Sequence, residues 1–236
     1  MTVLITFDLD NTLWDVDPVI VRANHALYHW FEERLPGFNQ HFSADELDKV
    51  KKEVVEESPH LKADISKLRI EMYRVALEQF GLPLVDAQRL AKEAFAFFHN
   101  WRQKVDLYPN TKDVLSLLAK QYRLAVITNG NADVFSEHIG LGSVFEFAIR
   151  ADQVGVAKPE AGIFYEAANQ ANLSIDNMIH VGDHPHDDVQ GINVVGGRSI
   201  WFNRHGARKW MLDWGKQPDS EVHSLSELPN AIRSLI

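Results

Sequence analysis

The chain has 236 residues, 45% apolar and 24% charged, and its 24 Lys and Arg against 33 Asp and Glu leave a formal net charge of −9. That suits one α/β domain with an insertion, or two modest domains, with ample residues for a core. The acidic balance argues against a nucleic-acid or anionic-membrane surface, the lack of cysteine excludes a disulfide frame and thiol chemistry, and no apolar run approaches the roughly 18 residues of a membrane span. The N-terminus enters a strand with no leader-like pattern, so a cytoplasmic protein is expected.

Residues 3–8, Val-Leu-Ile-Thr-Phe-Asp, read as a buried strand that carries Asp8 and Asp10 to its carboxyl end. In a parallel α/β sheet those ends form the ligand crevice. Side chains two apart on an extended strand share a face. Two carboxylates held that close need neutralising, and a bound divalent cation is the usual answer.

From about 17 to 106 the pattern is helix after helix. Segment 18–35 places Val19, Ala23, Ala26, Leu27, Trp30 and Phe31 at helical spacing. Ser43-Ala-Asp-Glu46 is a capping-box pattern that opens a second helix. Segment 62–80 ends at Gly81, and segment 84–104 carries Leu90, Ala94, Phe97, Phe98 and Trp101. Pro109 suits the first turn of the helix leading to the next strand.

Strands then recur at 124–128, 145–150, 178–182 and 199–202, separated by helical patterns at 133–139, 159–171 and 188–195. This alternation predicts a doubly wound parallel sheet of Rossmann-like type. The expected division is a core of 1–15 and 107–236 with an inserted four-helix cap at 16–106. Residues 204–236 carry the weakest pattern, with a closing helix at 226–235; Trp210 and Trp214 there suit either core or an oligomer contact.

Four local signals fall at, or just beyond, the carboxyl ends of successive core strands: Asp8-Leu-Asp10-Asn-Thr12-Leu, Thr128-Asn129-Gly130-Asn131, Lys158-Pro159, and Gly182-Asp183 followed by Asp187 and Asp188. Singly each has an ordinary explanation. An Asp-x-Asp pair caps helices, a loop lysine is solvated, and Asp187 suits a helix N-terminus. His184 and His186, which flank Pro185, are more often exposed histidines than metal ligands. Trp201-Phe202 and Phe97-Phe98 read as core.

Together and in this order the four resemble the motifs of the haloacid dehalogenase-like hydrolase superfamily, with the helical insertion similar to a C1-type cap. The resemblance implies a mostly phosphatase family that uses Mg²⁺ and an aspartyl-phosphate. Asp8 would be the nucleophile, Asp10 the acid and base, Thr128 with Asn129 and Gly130 the phosphoryl cradle, and Lys158 the charge-balancing cation. Mg²⁺ would take Asp8, Asp183 and the Asp10 carbonyl, with Asp188 in support. The second Asp followed by Thr12 resembles phosphatases, because halide release needs no proton donor.

A covered site suits a small phosphorylated metabolite. Thr12-Leu-Trp-Asp15, 64–69, Asn100-Trp-Arg102 and Thr128-Asn-Gly-Asn131 resemble a bacterial branch that hydrolyses FMN and riboflavin-pathway phosphates. On that resemblance Trp14 and Arg69 would contact the leaving group; a hinge-packing tryptophan and a cap-surface ion pair are the alternatives. A sugar-phosphate or nucleotide phosphatase with the same machinery stays open, as does a non-catalytic phosphoryl-binding protein. A monomer or homodimer is expected.

Overall fold

The computed structural model describes residues 2–236, which fall into two compact units. One takes in the chain up to Val16 and again Val105–Ile236; the other is Asp17–Lys104.

The first unit is built on a six-stranded sheet, β1 (Leu4–Phe7), β2 (Arg123–Thr128), β3 (Phe147–Arg150), β4 (Met178–Gly182), β5 (Arg198–Phe202) and β6 (Ser220–Val222), in the order β3-β2-β1-β4-β5-β6. Every pairing is parallel. Strands covered on both faces read as continuous apolar runs, which is why Leu4–Phe7 and Leu124–Thr128 are buried throughout. Register aligns Phe7 with Val126 on one side and Val181 on the other. The three central strands therefore end within two residues of one another, and the register carries Asp8 level with Ile127 and Gly182. The Asp8 N–H extends the ladder by donating to the Val181 carbonyl at 2.9 Å.

Sequence periodicity and structure differ in a few places. Residues 133–139 form successive turns rather than a helix, because the Asp133 side chain takes the Phe135 N–H at 3.1 Å and diverts the backbone. Over 188–195 the expected helix starts earlier, as a wide turn at Pro185–Gln190 in which Asp188 and Val189 both donate to the His184 carbonyl, and continues as Gly191–Val194. Pro109 lies before its helix, which begins at Thr111 after Asn110 in the left-handed region. The short edge strand β6, Ser-Glu-Val, is too brief and polar to stand out in the sequence.

The second unit holds the helix Val16–Arg34 from its second residue on and the helices Ala44–Glu57, Ile65–Gln79 and Leu84–Arg102, with a single turn at Phe38–His41 and a 3₁₀ segment at Pro59–Ala63. Ser43 caps the second of these, its hydroxyl accepting from the Glu46 N–H at 3.3 Å. The core centres on aromatic rings: Phe31 stacks on Phe38 at 4.5 Å and meets Tyr73 edge-on at 5.7 Å. No helix among the described residues is long and apolar enough to cross a membrane.

Candidate active site

The site is organised around a buried ammonium. Lys158 donates to Asp8 Oδ1 at 2.7 Å, Asp188 Oδ1 at 2.6 Å and the Ile127 carbonyl at 2.9 Å, which uses all three of its protons. Its side chain is 2% exposed, as is that of Asp188, against 10% for Asp8. Burial opposes the lysine charge, but Asp188 and Asp8 outweigh it and push the pKa up.

Lys158 is placed by Asn129, just beyond β2. The Asn129 carboxamide accepts from the Lys158 N–H at 2.7 Å and donates to the Lys158 carbonyl at 2.9 Å. Asn129, assigned from sequence to substrate binding, therefore works here as a brace between two loops. Thr128 is buried at the tip of β2, with its hydroxyl accepting from the Gly130 N–H at 3.0 Å. Accepting there leaves the hydroxyl proton for donation elsewhere.

Asp188 meets the cluster through a close approach that only glycine allows. A Cβ at Gly182 would sit 2.2 Å from Asp188 Cγ. Asp188 Oδ2 accepts from the His184 N–H at 2.8 Å, and Oδ1 also meets His180 Nε2 at 3.1 Å. Burial works against its charge, but the Lys158 ammonium and the His180 bond hold the carboxyl well below the usual range. His180 is wholly buried, and its Nδ1 lies 2.9 Å from Thr6 Oγ1. Burial pushes its pKa down. It was not singled out from the sequence, although a histidine inside the apolar run 178–182 is the kind of signal that marks a buried polar partner.

Asp8, Asp183 and Asp188 bring carboxylate oxygens within 4.8 Å of one another. Burial first, then the neighbouring carboxylates, push Asp8 up to about 7 and Asp183 up to about 8. Oxygen donors crowded this far against their own ionisation match a hard divalent cation.

Asp10 lies beyond β1 in a tight turn in which Asn11 adopts a left-handed φ of 60° and the Leu13 N–H returns to the Leu9 carbonyl at 2.8 Å. Trp14 Nε1 donates to Asp10 Oδ1 at 2.8 Å. Trp14, read from sequence as a contact to the leaving group, is fully buried here, with its indole N–H on the Asp10 carboxyl. Arg69, in the second unit, lies over the Phe98 ring at 3.8 Å and donates to the Tyr73 hydroxyl at 3.1 Å. His184 caps the Pro185 turn by accepting from the Asp187 N–H at 3.0 Å.

Residues 2–196 match the haloacid dehalogenase-like hydrolase family. The chain belongs to that family. It is 33% identical over 230 residues to the 5-amino-6-(5-phospho-D-ribitylamino)uracil phosphatase YigB of Escherichia coli (strain K12), covering 97% of this chain and 95% of that one. A phosphoserine phosphatase of Thermus thermophilus is 32% identical over 164 residues, 68% of this chain and 63% of its own length. The solved structure of a 2-haloacid dehalogenase from Pseudomonas syringae pv. Tomato DC3000 superposes with a TM-score of 0.93 at 39% identity over the full length of both chains. The chain is thus an enzyme, a hydrolase, and both of these curated relatives are named as phosphatases.

Two outcomes follow from the charge cluster. Lys158→Met leaves Asp8 and Asp188 without their shared cation, so unfolding in urea at about pH 8 should show a loss of about 3–5 kcal/mol, smaller at about pH 5 where a carboxyl can take up a proton. With metal chelated, Asp8 and Asp183 hold protons in the fold up to about 7 and 8 but lose them at 3.8 when unfolded, so their contribution is full below 3.8 and is lost as pH rises to those values. Asp188 runs oppositely, losing its contribution as pH falls below 3.8. The melting temperature of chelator-treated protein should therefore fall further behind that of Mg²⁺-treated protein as pH is raised from about 5 to about 8.

Proposed function

We propose that the chain hydrolyses the phosphomonoester of a small metabolite through an aspartyl-phosphate on Asp8, with Mg²⁺ held by Asp8, Asp183 and the Asp10 carbonyl. The observation that supports this best is the Asp8 carboxylate itself, buried, fixed by Lys158, set between the ends of β2 and β4 and close to Asp183.

Bound there, Mg²⁺ would offset charge on the carboxylates and the phosphoryl oxygens. Asp8 attacks phosphorus as the bond to the ester oxygen breaks, and the Asp10 carboxyl passes its proton to that leaving oxygen. Asp10, now ionised and still held by Trp14, takes a proton from the water that attacks phosphorus. Asp8 is released as a carboxylate. Thr128 and the amides beside it hold phosphoryl oxygens, and Lys158 keeps Asp8 ionised and balances the charge gathered in the transition state. Asp188 fixes Lys158.

The substrate class is read as FMN or a riboflavin-pathway phosphate, which the likeness to YigB favours; Arg69 is the candidate residue for recognising the leaving group. The likeness to a 2-haloacid dehalogenase supports a second reading, displacement of halide by the same Asp8. A halide leaves without a proton, so the displacement step has no use for Asp10 as an acid.

Phosphate release should be Mg²⁺-dependent over a panel of FMN, sugar phosphates and nucleotides, and Asp8→Asn should lower it by more than about 10³-fold while leaving the fold intact. Asp10→Asn should cost about 10²–10⁴-fold. Halide release from 2-chloropropionate that survives Asp10→Asn, with no phosphate release from any ester, would replace the phosphatase with the dehalogenase.

A further inference from the structure

Asp183 is held from outside its own strand. Its backbone carbonyl accepts two hydrogen bonds, from Trp201 Nε1 at 2.9 Å and from Arg208 Nη2 at 2.7 Å; the same Nη2 lies 3.5 Å from Asp183 Oδ2. Trp201 is wholly buried on β5 in register with Gly182, the residue before Asp183.

Arg208 lies in irregular chain, yet its backbone is pinned. Asn203, 1% exposed at the end of β5, accepts from the Arg208 N–H at 3.1 Å and donates to the Arg208 carbonyl at 2.6 Å. Asn129 holds Lys158 with the same pair of bonds, at 2.7 and 2.9 Å. Two cations of this unit are thus fixed by one device, an asparagine just beyond a strand that pairs with both backbone groups of the basic residue. Trp210 and Trp214 close the loop against Trp201, edge-to-face at 5.3 and 6.1 Å.

We propose that Trp201 and Arg208 are positioning residues that clamp the Asp183 carbonyl and thereby aim its carboxylate at the metal ion, making the segment from Asn203 to Trp214 part of the site. This rests on Asp183 being a metal ligand. Asp183 stands where β4 ends and the chain turns into Pro185–Gln190, so its peptide unit has no strand partner beyond Gly182 to fix it. Two donors on one carbonyl supply that restraint. The guanidinium charge opposes a cation nearby, but the Arg208 side chain is 43% exposed and solvent screens it, so the restraint dominates.

The test is Mn²⁺ binding to the intact protein without substrate, followed by electron paramagnetic resonance, with Mg²⁺ as competitor. Arg208→Ala and Trp201→Phe should each raise the Mn²⁺ dissociation constant about tenfold, with the double variant below the product because both act on one oxygen. Arg208→Lys, which can still donate to the carbonyl, should recover part of the loss. Melting curves of the chelated proteins separate this from unfolding: Trp201→Phe removes buried volume and melts lower, whereas Arg208→Ala should melt close to wild type. Unchanged or tighter Mn²⁺ binding in Arg208→Ala overturns the clamp while the metal site stands. Wild-type protein with no Mg²⁺-displaceable Mn²⁺ binding overturns the metal reading, and the clamp with it.

Discussion

The Lys158 ammonium, buried between Asp8 and Asp188, is the interaction on which the rest of the site depends. A charge removed from water this completely persists only if every proton is used and opposite charge lies in contact, and both conditions hold. The cluster explains features that otherwise look unrelated. Gly182 must lack a side chain for Asp188 to approach, Asn129 must span two loops to hold the lysine backbone, and His180 must sit inside a strand to meet Asp188. It also leaves Asp8 in a setting that resists ionisation and relies on cations to hold the charge.

The surplus of carboxylates is what gives the arrangement chemical direction. Asp8, Asp183 and Asp188 face one lysine, and Asp183 answers partly to Arg208. Three carboxylates against one ammonium leave a surplus of negative charge that a divalent cation would offset. Asp10 separates ester hydrolysis from halide displacement. The Trp14 bond holds one of its oxygens on the turn beyond β1, where a proton donor serves an ester oxygen and has no task toward a halide.

Much of this was legible in the sequence because it depends on local pattern. Apolar runs such as 3–8 and 124–128 announce parallel strands, and residues at their carboxyl ends inherit the crevice whatever lies between them. The helices of the second unit show in their periodicity and in the Ser43 cap. What stayed hidden is set by tertiary approach. Nothing near Trp14 says that its N–H is spent on Asp10, and Asn129 looks like any turn residue until Lys158 is placed beside it. Arg208 lies 25 residues from Asp183 and meets it only because β5 returns alongside β4. The helix expected at 133–139 failed on one side-chain bond, from Asp133 to the Phe135 N–H, which periodicity does not register.

The central claim is that Asp8 carries the phosphoryl group during turnover. The most direct measurement is to quench the enzyme while it is turning over a phosphomonoester, reduce it with borohydride, and map the peptide that contains residues 7–13 by mass spectrometry. An acyl phosphate on Asp8 is reduced to homoserine, so a mass change at position 8 that requires both Mg²⁺ and substrate is the predicted result. Turnover with an unmodified Asp8, or with the change at another carboxylate, would contradict the account.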